Sequence, residues 1–200
     1  MEQRLVDDIL QARAAALDEA RPAAVASARQ AGRLSARERI AALCDEGSFF
    51  EYGGLAQGSA DGFDTPAGGL VGGTGRVHGQ PVVVASYDFT VDGGAQAPIN
   101  QAKIERLVFL AVEHAWPLVC FADGEGERPT GRQQASPGLW LGGSGRIGLF
   151  DGLCELSGLA PTVAIVSGTA LDVHAAIAMF SELVVAVTGS RWTLPAHEQD

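Results

Sequence analysis

The sequence predicts an α/β fold in which buried strands alternate with amphipathic helices behind an N-terminal helical region. Leu70–Val77 and Pro81–Phe89 are runs rich in β-branched residues on either side of the turn sequence His78–Gln80, so they indicate a β-hairpin. After the hairpin, helical and strand patterns follow one another along the chain, which is typical of α/β layers. The 200 residues are 46% hydrophobic and 19% charged, the composition of a globular protein with an apolar core.

The N-terminal region carries two helical signals. Apolar residues recur at helical spacing from Leu5 to Leu17 among many alanines, and Pro22 interrupts the pattern. We therefore expect one kinked helix or two short helices over residues 2–30. Ser35 and Glu38 have the S-x-x-E spacing of a capping box, in which each side chain binds a backbone N–H group of the other residue. This spacing predicts a short helix over about residues 36–44.

Residues 53–69 separate this helical region from the predicted hairpin. They are rich in Gly, Ser and Asp and show no sustained periodicity, so we predict a loop on the surface. The chain is therefore interpreted as a helical arm at residues 1–52, a linker loop at residues 53–68 and a main domain at residues 69–200.

Helix and strand patterns alternate through the main domain. The predicted helices cover residues 97–114, 147–156 and 173–180, and the predicted strands cover residues 117–121, 161–166 and 183–187. Ligands of such folds bind at the carboxyl ends of the parallel strands. We therefore expect the functional residues in the two segments Ala122–Thr130 and Ser167–Asp172.

Charge and cysteine content argue against several classes of protein. The net charge is -10 and the Lys and Arg residues are scattered, which disfavours a nucleic-acid partner. The three cysteines are far apart and have no CxxC spacing, so neither a disulfide framework nor a zinc site is indicated. The four histidines are isolated, and we expect no metal. No apolar run has membrane-spanning length and the N-terminus lacks the features of a signal peptide, so we predict a cytoplasmic protein without membrane association.

Two further motifs have weak or ambiguous interpretations. Gly143–Gly148 fits GxGxxG, but the candidate strand before it is only three residues long, so nucleotide binding is a weak alternative. Asp123, Glu125 and Glu127 are compatible with a general acid–base set and equally with a solvated acidic loop.

Two longer segments resemble a known family. GRLSARERIAALCDEGSFFEYGGLA at residues 32–56 is similar to the opening of the carboxyltransferase (beta) subunits of propionyl-CoA and related biotin-dependent acyl-CoA carboxylases. GRVHGQPVVVASYDFTVDGGA at residues 75–95 resembles the paired strands and Gly-Gly turn of the same family, and NQAKIERLVFLAVEHAWPLVCFAD continues the match. The resemblance implies a crotonase-like ββα superhelix, here incomplete and preceded by the helical arm.

The resemblance also implies a chemistry and a set of site residues. In this family an acyl-CoA loses an α-proton, and the thioester enolate attacks the carboxyl group of carboxybiotin. Backbone N–H groups stabilise the enolate because their dipoles are fixed before the charge develops. The D-S-G-G-A-R loop of the family aligns with residues 123–128, which makes Glu125 and Gly126 the catalytic residues, with Gly124, Glu127 and Arg128 in substrate binding.

The second loop of the family, G-P-C-A-G-G, aligns with residues 168–173. The resemblance implies that Gly168, Ala170, Leu171 and Asp172 line the acyl-CoA pocket. Both loops depart from the family pattern, because Glu125 replaces a glycine and the later glycine pair is missing. A carboxylate about 4 Å from the enolate opposes it by roughly 4 kcal/mol at an effective dielectric constant of 20, so we expect these side chains to point away if the site is active.

The implied partners are an acyl-CoA and a biotin carboxylase or biotin carrier subunit that delivers carboxybiotin, with no metal. A homo-oligomer that includes a C-terminal carboxyltransferase half is also implied, because the family has two crotonase-like halves and 200 residues are too few for both. We therefore expect a fragment that is inactive alone. Two alternatives stay open: a non-catalytic acyl-CoA-binding or assembly module, and a crotonase-like decarboxylase or hydrolase of CoA thioesters.

Overall fold

The computed structural model describes residues 2–56, 65–126 and 148–194. Within these ranges the α-helices are α1 (Glu2–Ala15), α2 (Pro22–Gln30), α3 (Ala36–Leu43), α4 (Pro98–His114), α5 (Leu149–Leu156) and α6 (Val173–Phe180). The β-strands are β1 (Phe50–Glu51), β2 (Leu70–Val77), β3 (Gln80–Tyr87), β4 (Leu118–Phe121), β5 (Thr162–Val166), β6 (Thr169–Leu171), β7 (Leu183–Ala186) and β8 (Arg191–Thr193). The predicted α/β class and the alternation after the hairpin are confirmed.

The N-terminal region forms short separate helices. α2 begins at Pro22, where proline is favoured because the first helical N–H group needs no partner within the helix. α3 begins with the predicted capping box, in which the Ser35 hydroxyl accepts a hydrogen bond from the Glu38 N–H group at 3.1 Å and the Glu38 carboxylate accepts one from the Ser35 N–H group at 2.8 Å. Of the two alternatives for residues 2–30, the two-helix one is confirmed.

The main sheet has six strands in the order β1-β2-β3-β4-β5-β7. β2 and β3 form the predicted antiparallel hairpin, with Leu70 opposite Tyr87 and Val77 opposite Gln80. β3, β4, β5 and β7 are parallel. The carboxyl ends of these four strands therefore lie along one side of the sheet, where the segments that follow them can meet.

Helices pack on both faces of this sheet. On one face, Leu107 of α4 and Leu153 of α5 join a core that includes Tyr87 of β3. On the other face, Ile40 of α3 packs in a second core with Val84 of β3. α3 is therefore joined to the sheet by apolar burial, which is the dominant stabilising term in folding.

Three short strands, β1, β6 and β8, are missing from the sequence-based prediction. β1 lies so close to β2 that a Cβ atom on Gly73 would be 1.9 Å from the Phe50 carbonyl oxygen, so glycine is required there. β6 and β8 pair in a separate parallel two-stranded sheet. Thr169–Leu171, which the sequence analysis places in a loop, is therefore a strand. Its three residues are too few to show a period.

Part of the predicted surface loop is buried. Residues 65–69 are all buried, so the expectation of a surface location is wrong for this part of the segment. The buried ammonium group of Lys103 donates hydrogen bonds to the carbonyl oxygens of Gly53 at 3.1 Å and Ala67 at 2.7 Å, and also to that of Leu70. Lys103 thus satisfies carbonyl groups that a buried loop cannot pair with itself. Its burial lowers the pKa of Lys103 to about 8.

Candidate functional site

The two segments in which the sequence predicts the site lie against each other. Gly124, which follows β4, forms a parallel bridge with Ala170 of β6. The Gly124 N–H group donates to the Thr169 carbonyl oxygen at 2.7 Å, and the Leu171 N–H group donates to the Gly124 carbonyl oxygen at 3.0 Å. The segments after two neighbouring parallel strands are therefore held together by backbone hydrogen bonds.

Asp123 anchors this pair of segments. Its carboxylate has no solvent exposure and accepts hydrogen bonds from the Ser167 N–H group at 2.9 Å, the Gly168 N–H group at 2.8 Å and the Ser167 hydroxyl at 2.6 Å. Arg39 of α3 completes its surroundings with an ion pair at 2.8 Å. A carboxylate this fully occupied has no free oxygen for proton transfer, and it is not solvated. Neither alternative considered for Asp123 from the sequence therefore applies to it.

The ion pair reaches the site from the helical arm. The side chain of Arg39 is 5% exposed, and its Nη2 atom lies 2.9 Å from the Ser167 hydroxyl as well as near Asp123. Burial lowers the pKa of Arg39, whereas the charge of Asp123 raises it. Since removing one partner of a buried pair leaves a charge without compensation, each residue holds the other in place.

The Gly93–Gly94 turn packs on the same segment. The Gly93 carbonyl oxygen accepts a hydrogen bond from the Glu125 N–H group at 3.1 Å, and the Gln96 N–H group donates to the Gly126 carbonyl oxygen at 2.8 Å. Gly94 has φ 70°, and a Cβ atom there would lie 2.8 Å from the Asp123 carbonyl oxygen. Glycine is therefore needed at this position both for its backbone angle and for the close approach.

His174, near the start of α6, packs against both site segments. It has no solvent exposure, its Nδ1 atom lies 3.2 Å from the Leu171 carbonyl oxygen, and its ring packs edge-on against Tyr87 with centroids 4.4 Å apart. A Cβ atom on Gly124 would be 2.3 Å from His174 Nε2. Burial lowers the pKa of His174, so the ring is neutral at physiological pH and adds no charge to the site.

Comparison with known proteins now assigns the arrangement to a family. The model of the carboxyl transferase domain matches residues 27–194, which are most of the chain. The chain belongs to the carboxyl transferase family. The predicted family resemblance is thus confirmed over the arm motif, the hairpin and both site segments.

Curated relatives in this family are beta subunits of carboxylases. The propionyl-CoA carboxylase beta chain of Cereibacter sphaeroides is 33% identical over 66% of this chain and 26% of its own length. The biotin-dependent acetyl-/propionyl-coenzyme A carboxylase beta5 subunit of Mycobacterium tuberculosis is 32% identical over 76% of this chain and 27% of its own length. The chain therefore spans less than a third of the length of these carboxyl transferases.

Solved carboxyl transferase structures superpose on nearly the whole chain. A single-chain, multi-domain long-chain acyl-CoA carboxylase has a TM-score of 0.81 at 36% identity, over 94% of this chain and 20% of that one. The transcarboxylase 12S hexamer with bound methylmalonyl-coenzyme A has a TM-score of 0.80 at 27% identity, over 98% of this chain and 38% of that one. The predicted crotonase-like carboxyltransferase fold is confirmed by these superpositions.

The two predicted catalytic residues have different surroundings. The Glu125 N–H group is engaged by the Gly93 carbonyl oxygen, so it is not a free donor in this structure. The Gly126 N–H group has no hydrogen-bond partner among the described residues. The Glu125 side chain is exposed and lies over Gly93, where a Cβ atom would be 2.7 Å from Oε2. The Glu125 side chain therefore lies against the Gly93 turn at the surface.

The residues predicted in the second loop lie beside Gly126. Asp172 has φ 53° and ψ -115°, directly precedes α6, and places its carboxylate where a Cβ atom on Gly126 would be 2.3 Å from Oδ2. Ala170 is fully buried and Leu171 half-buried, while Gly168 is the acceptor of the Arg191 N–H group at 2.8 Å. Their roles in acyl-CoA binding stay predictions.

Some sequence-based predictions fall outside the described residues. Glu127 and Arg128 lie there, as does most of the GxGxxG segment. Among the residues that are described, no group of His, Cys, Asp and Glu side chains is placed to hold a metal ion, and no helix is long and apolar enough to cross a membrane.

Sequence reasoning missed Arg39 and His174 as site residues. Arg39 is within the arm motif, but 128 positions separate it from Ser167, and no local pattern links the two. His174 looked isolated because its contacts with Tyr87 of β3 and with Gly124 after β4 join residues that are distant in sequence. A buried role for either residue is visible only once the sheet brings these segments together.

Proposed function

We propose that the chain forms the acyl-CoA side of a biotin-dependent acyl-CoA carboxyltransferase and stabilises the thioester enolate that accepts the carboxyl group. The observation that carries the proposal is the contact between Gly126 and Asp172. It sets the N–H group of Gly126 beside the start of α6, at the carboxyl ends of β4 and β5. The Gly126 N–H group has no partner among the described residues, and a developing oxyanion requires such a donor held in a fixed position.

The Asp172 carboxylate beside Gly126 opposes an anionic intermediate, whereas the other charged groups around these donors are compatible with one. The Asp123 carboxylate is compensated by Arg39, the His174 ring is neutral, and the Glu125 carboxylate is exposed to water that screens it. Fixed N–H donors act without reorganisation, and losing one oxyanion donor typically lowers kcat by about 10²–10³. The hydrogen-bonded anchoring of Asp123 keeps the donors in position while charge develops.

These residues account for one side of the reaction only. The family resemblance assigns the carboxybiotin side to a second crotonase-like half, and the chain spans less than a third of its curated relatives. Biotin supplies the activated carboxyl group when its carrier docks. We assign no step on biotin to the residues of this chain.

The proposal includes partners and a location. A biotin carrier subunit, a biotin carboxylase and a C-terminal carboxyltransferase half would complete the enzyme in a homo-oligomer in the cytoplasm. The named relatives include a biotin-dependent beta5 subunit and a hexameric transcarboxylase 12S, which supports this composition. Capture of the native protein, followed by intact mass and a streptavidin blot, should recover a biotinylated partner.

A binding measurement tests the proposal directly. Propionyl-CoA titrated into the folded protein in a calorimeter should show saturable binding. Gly126→Ala should weaken it at least tenfold, because the new Cβ atom would collide with Asp172 Oδ2. Gly47→Ala is the matched control, since Gly47 also has a positive φ but has open space around it. Absence of saturable binding in the wild type would refute the proposal.

Carboxylation is tested after binding. The chain is combined with a complementary C-terminal half and a biotinylated carrier that biotin carboxylase has carboxylated with ATP and labelled bicarbonate, and transfer of label to propionyl-CoA is measured. Transfer supports the carboxyltransferase. Binding without transfer favours a non-catalytic acyl-CoA-binding module, an assignment that the engaged Glu125 N–H group also supports.

A decarboxylase is the second candidate. A chain of the malonate decarboxylase hetero-tetramer from Pseudomonas superposes with a TM-score of 0.68 at 26% identity, over 80% of this chain and 61% of that one. The chain thus covers a larger share of this neighbour than of the carboxylases. Release of CO2 from malonyl-CoA in the absence of biotin would favour this candidate.

A further inference from the structure

Arg33 has a charge that no described residue compensates. Its guanidinium group stacks on the Phe89 ring, 4.4 Å from the centroid. It makes no hydrogen bond or ion pair within the parts of the chain that the structure describes. A Cβ atom on Gly168 would lie 2.9 Å from Arg33 Nη1, so the group is next to the site segment after β5. A positioned cation in a chain of net charge -10 needs an explanation.

A second donor without a partner lies beside Arg33. Asp123 and Ser167 use Nη2 of Arg39, but Nη1 is buried and has no partner among the described residues. Both arginines line a cavity of about 10 Å³, which holds one water-sized group. A buried charged donor without an acceptor costs free energy, so an acceptor in this cavity would stabilise the site.

The nearby carboxylates are already occupied. Asp88 also lines the cavity, and its carboxylate accepts hydrogen bonds from Arg21 Nη2 at 3.0 Å and the Thr90 N–H group at 3.0 Å. Asp123 is paired with Arg39. The two acids are therefore matched by two arginines, and the charge of Arg33 is in excess. Burial is the main cause that lowers the pKa of Arg39, and the nearby charge of Arg33 lowers it further.

We infer that Arg33 and the Nη1 group of Arg39 form a binding site for a phosphate group, with one phosphate oxygen in the cavity. A tetrahedral phosphate presents oxygens in several directions, so it can engage two guanidinium groups at once, and arginine binds it with paired hydrogen bonds. Stacking on Phe89 fixes the Arg33 plane before the ligand arrives, which reduces the entropy lost on binding. Free phosphate and the phosphates of a CoA ester share this chemistry.

The inference rests on the proposed function only in its choice of ligand, namely a phosphate of the nucleotide portion of acyl-CoA. The phosphate site adjoins Gly168, whose N–H group donates a hydrogen bond to the Asp123 carboxylate.

Calorimetry with three probes tests the inference. The probes are propionyl-CoA, adenosine 3′,5′-bisphosphate and the phosphate-free thioester propionyl-N-acetylcysteamine. Arg33→Gln should weaken the binding of propionyl-CoA and of the bisphosphate on the order of tenfold. It should leave the affinity for propionyl-N-acetylcysteamine unchanged. Arg33→Lys should restore part of the affinity, because it returns the charge without the planar fork. Arg29→Gln is the matched control, since Arg29 lies on α2 and is exposed in an ion pair with Glu38.

The outcomes separate the two claims. Equal affinity of Arg33→Gln and wild type for propionyl-CoA overturns the phosphate site while the proposed function stands. Binding of the bisphosphate at Arg33 without any binding of propionyl-CoA supports the site and overturns the proposed function. Thermal denaturation of each variant excludes misfolding, and equal losses in Arg33→Gln and Arg29→Gln would count against a specific role of Arg33.

Discussion

Replacing Asp123 by asparagine should destabilise the protein strongly. Asn keeps the shape of the side chain but removes the charge that compensates Arg39, whose guanidinium group is 5% exposed. It also puts a donor where Asp123 Oδ2 accepts from the Ser167 hydroxyl and Arg39. Removing one partner of a buried ion pair costs about 3–5 kcal/mol, out of a total free energy of unfolding of about 5–15 kcal/mol. For a chain of this size the Tm should fall by on the order of 10 °C.

Chemical denaturation with a double-mutant cycle measures this effect. Urea unfolding is followed for the wild type, Asp123→Asn, Arg39→Met and the double variant. The free energy of unfolding should fall less in the double variant than the sum of the two single losses, by about 1–3 kcal/mol, because the double variant buries no uncompensated charge. Asp45→Asn is the control, since the Asp45 carboxylate accepts hydrogen bonds from the His78 and Gly79 N–H groups at an exposed turn. Its free energy of unfolding should fall less than that of Asp123→Asn. Additive losses, or a loss for Asp123→Asn below about 1 kcal/mol, would refute the reasoning.

Three further predictions concern other parts of the structure. Burial lowers the pKa of Lys103 to about 8 from its ordinary 10.5, so the folded protein releases this proton first. The free energy of unfolding of the wild type should therefore rise between pH 8 and 10.5 relative to Lys103→Met, by up to roughly 3 kcal/mol, in urea titrations at several pH values. Gly124→Ala would place its Cβ atom 2.3 Å from His174 Nε2, and calorimetry should show at least a tenfold loss of propionyl-CoA binding. The exposed thiol of Cys154 should react quickly with a disulfide reagent, whereas the two buried cysteines should react only after unfolding.

The order of helices and strands is predictable from the sequence because its signals are local. The hairpin over Leu70–Tyr87, the capping box at Ser35 and the helix Pro98–His114 each follow from patterns within fewer than twenty residues. β1, β6 and β8 have two or three residues, and their strand conformation depends on distant partners. No local pattern can predict a strand that exists only through its pairing.

The location of the candidate site is predictable from the sequence, but the residues that hold its segments in place are not. The rule that ligands bind after parallel strands, with the family resemblance, leads to the segments that contain Gly124 and Ala170, and the structure pairs these two residues. The compensation of Asp123 by Arg39 depends on which face of the sheet α3 covers. The buried end of the predicted loop depends likewise on the reach of Lys103 from α4.

The nearly sequential order of the main sheet has a consequence for folding during synthesis. Each strand from β2 to β5 finds its neighbour already made when it leaves the ribosome, so pairing can proceed from the N-terminal side. Arg39 is made early, whereas its partner Asp123 follows β4 and its second acceptor Ser167 comes 128 residues after it. We therefore expect its guanidinium group to stay hydrated while the hairpin and β4 assemble. Asp123 becomes available to Arg39 once β4 has paired, and the hydrogen bonds from Ser167 and Gly168 complete its surroundings only after β5 has joined the sheet.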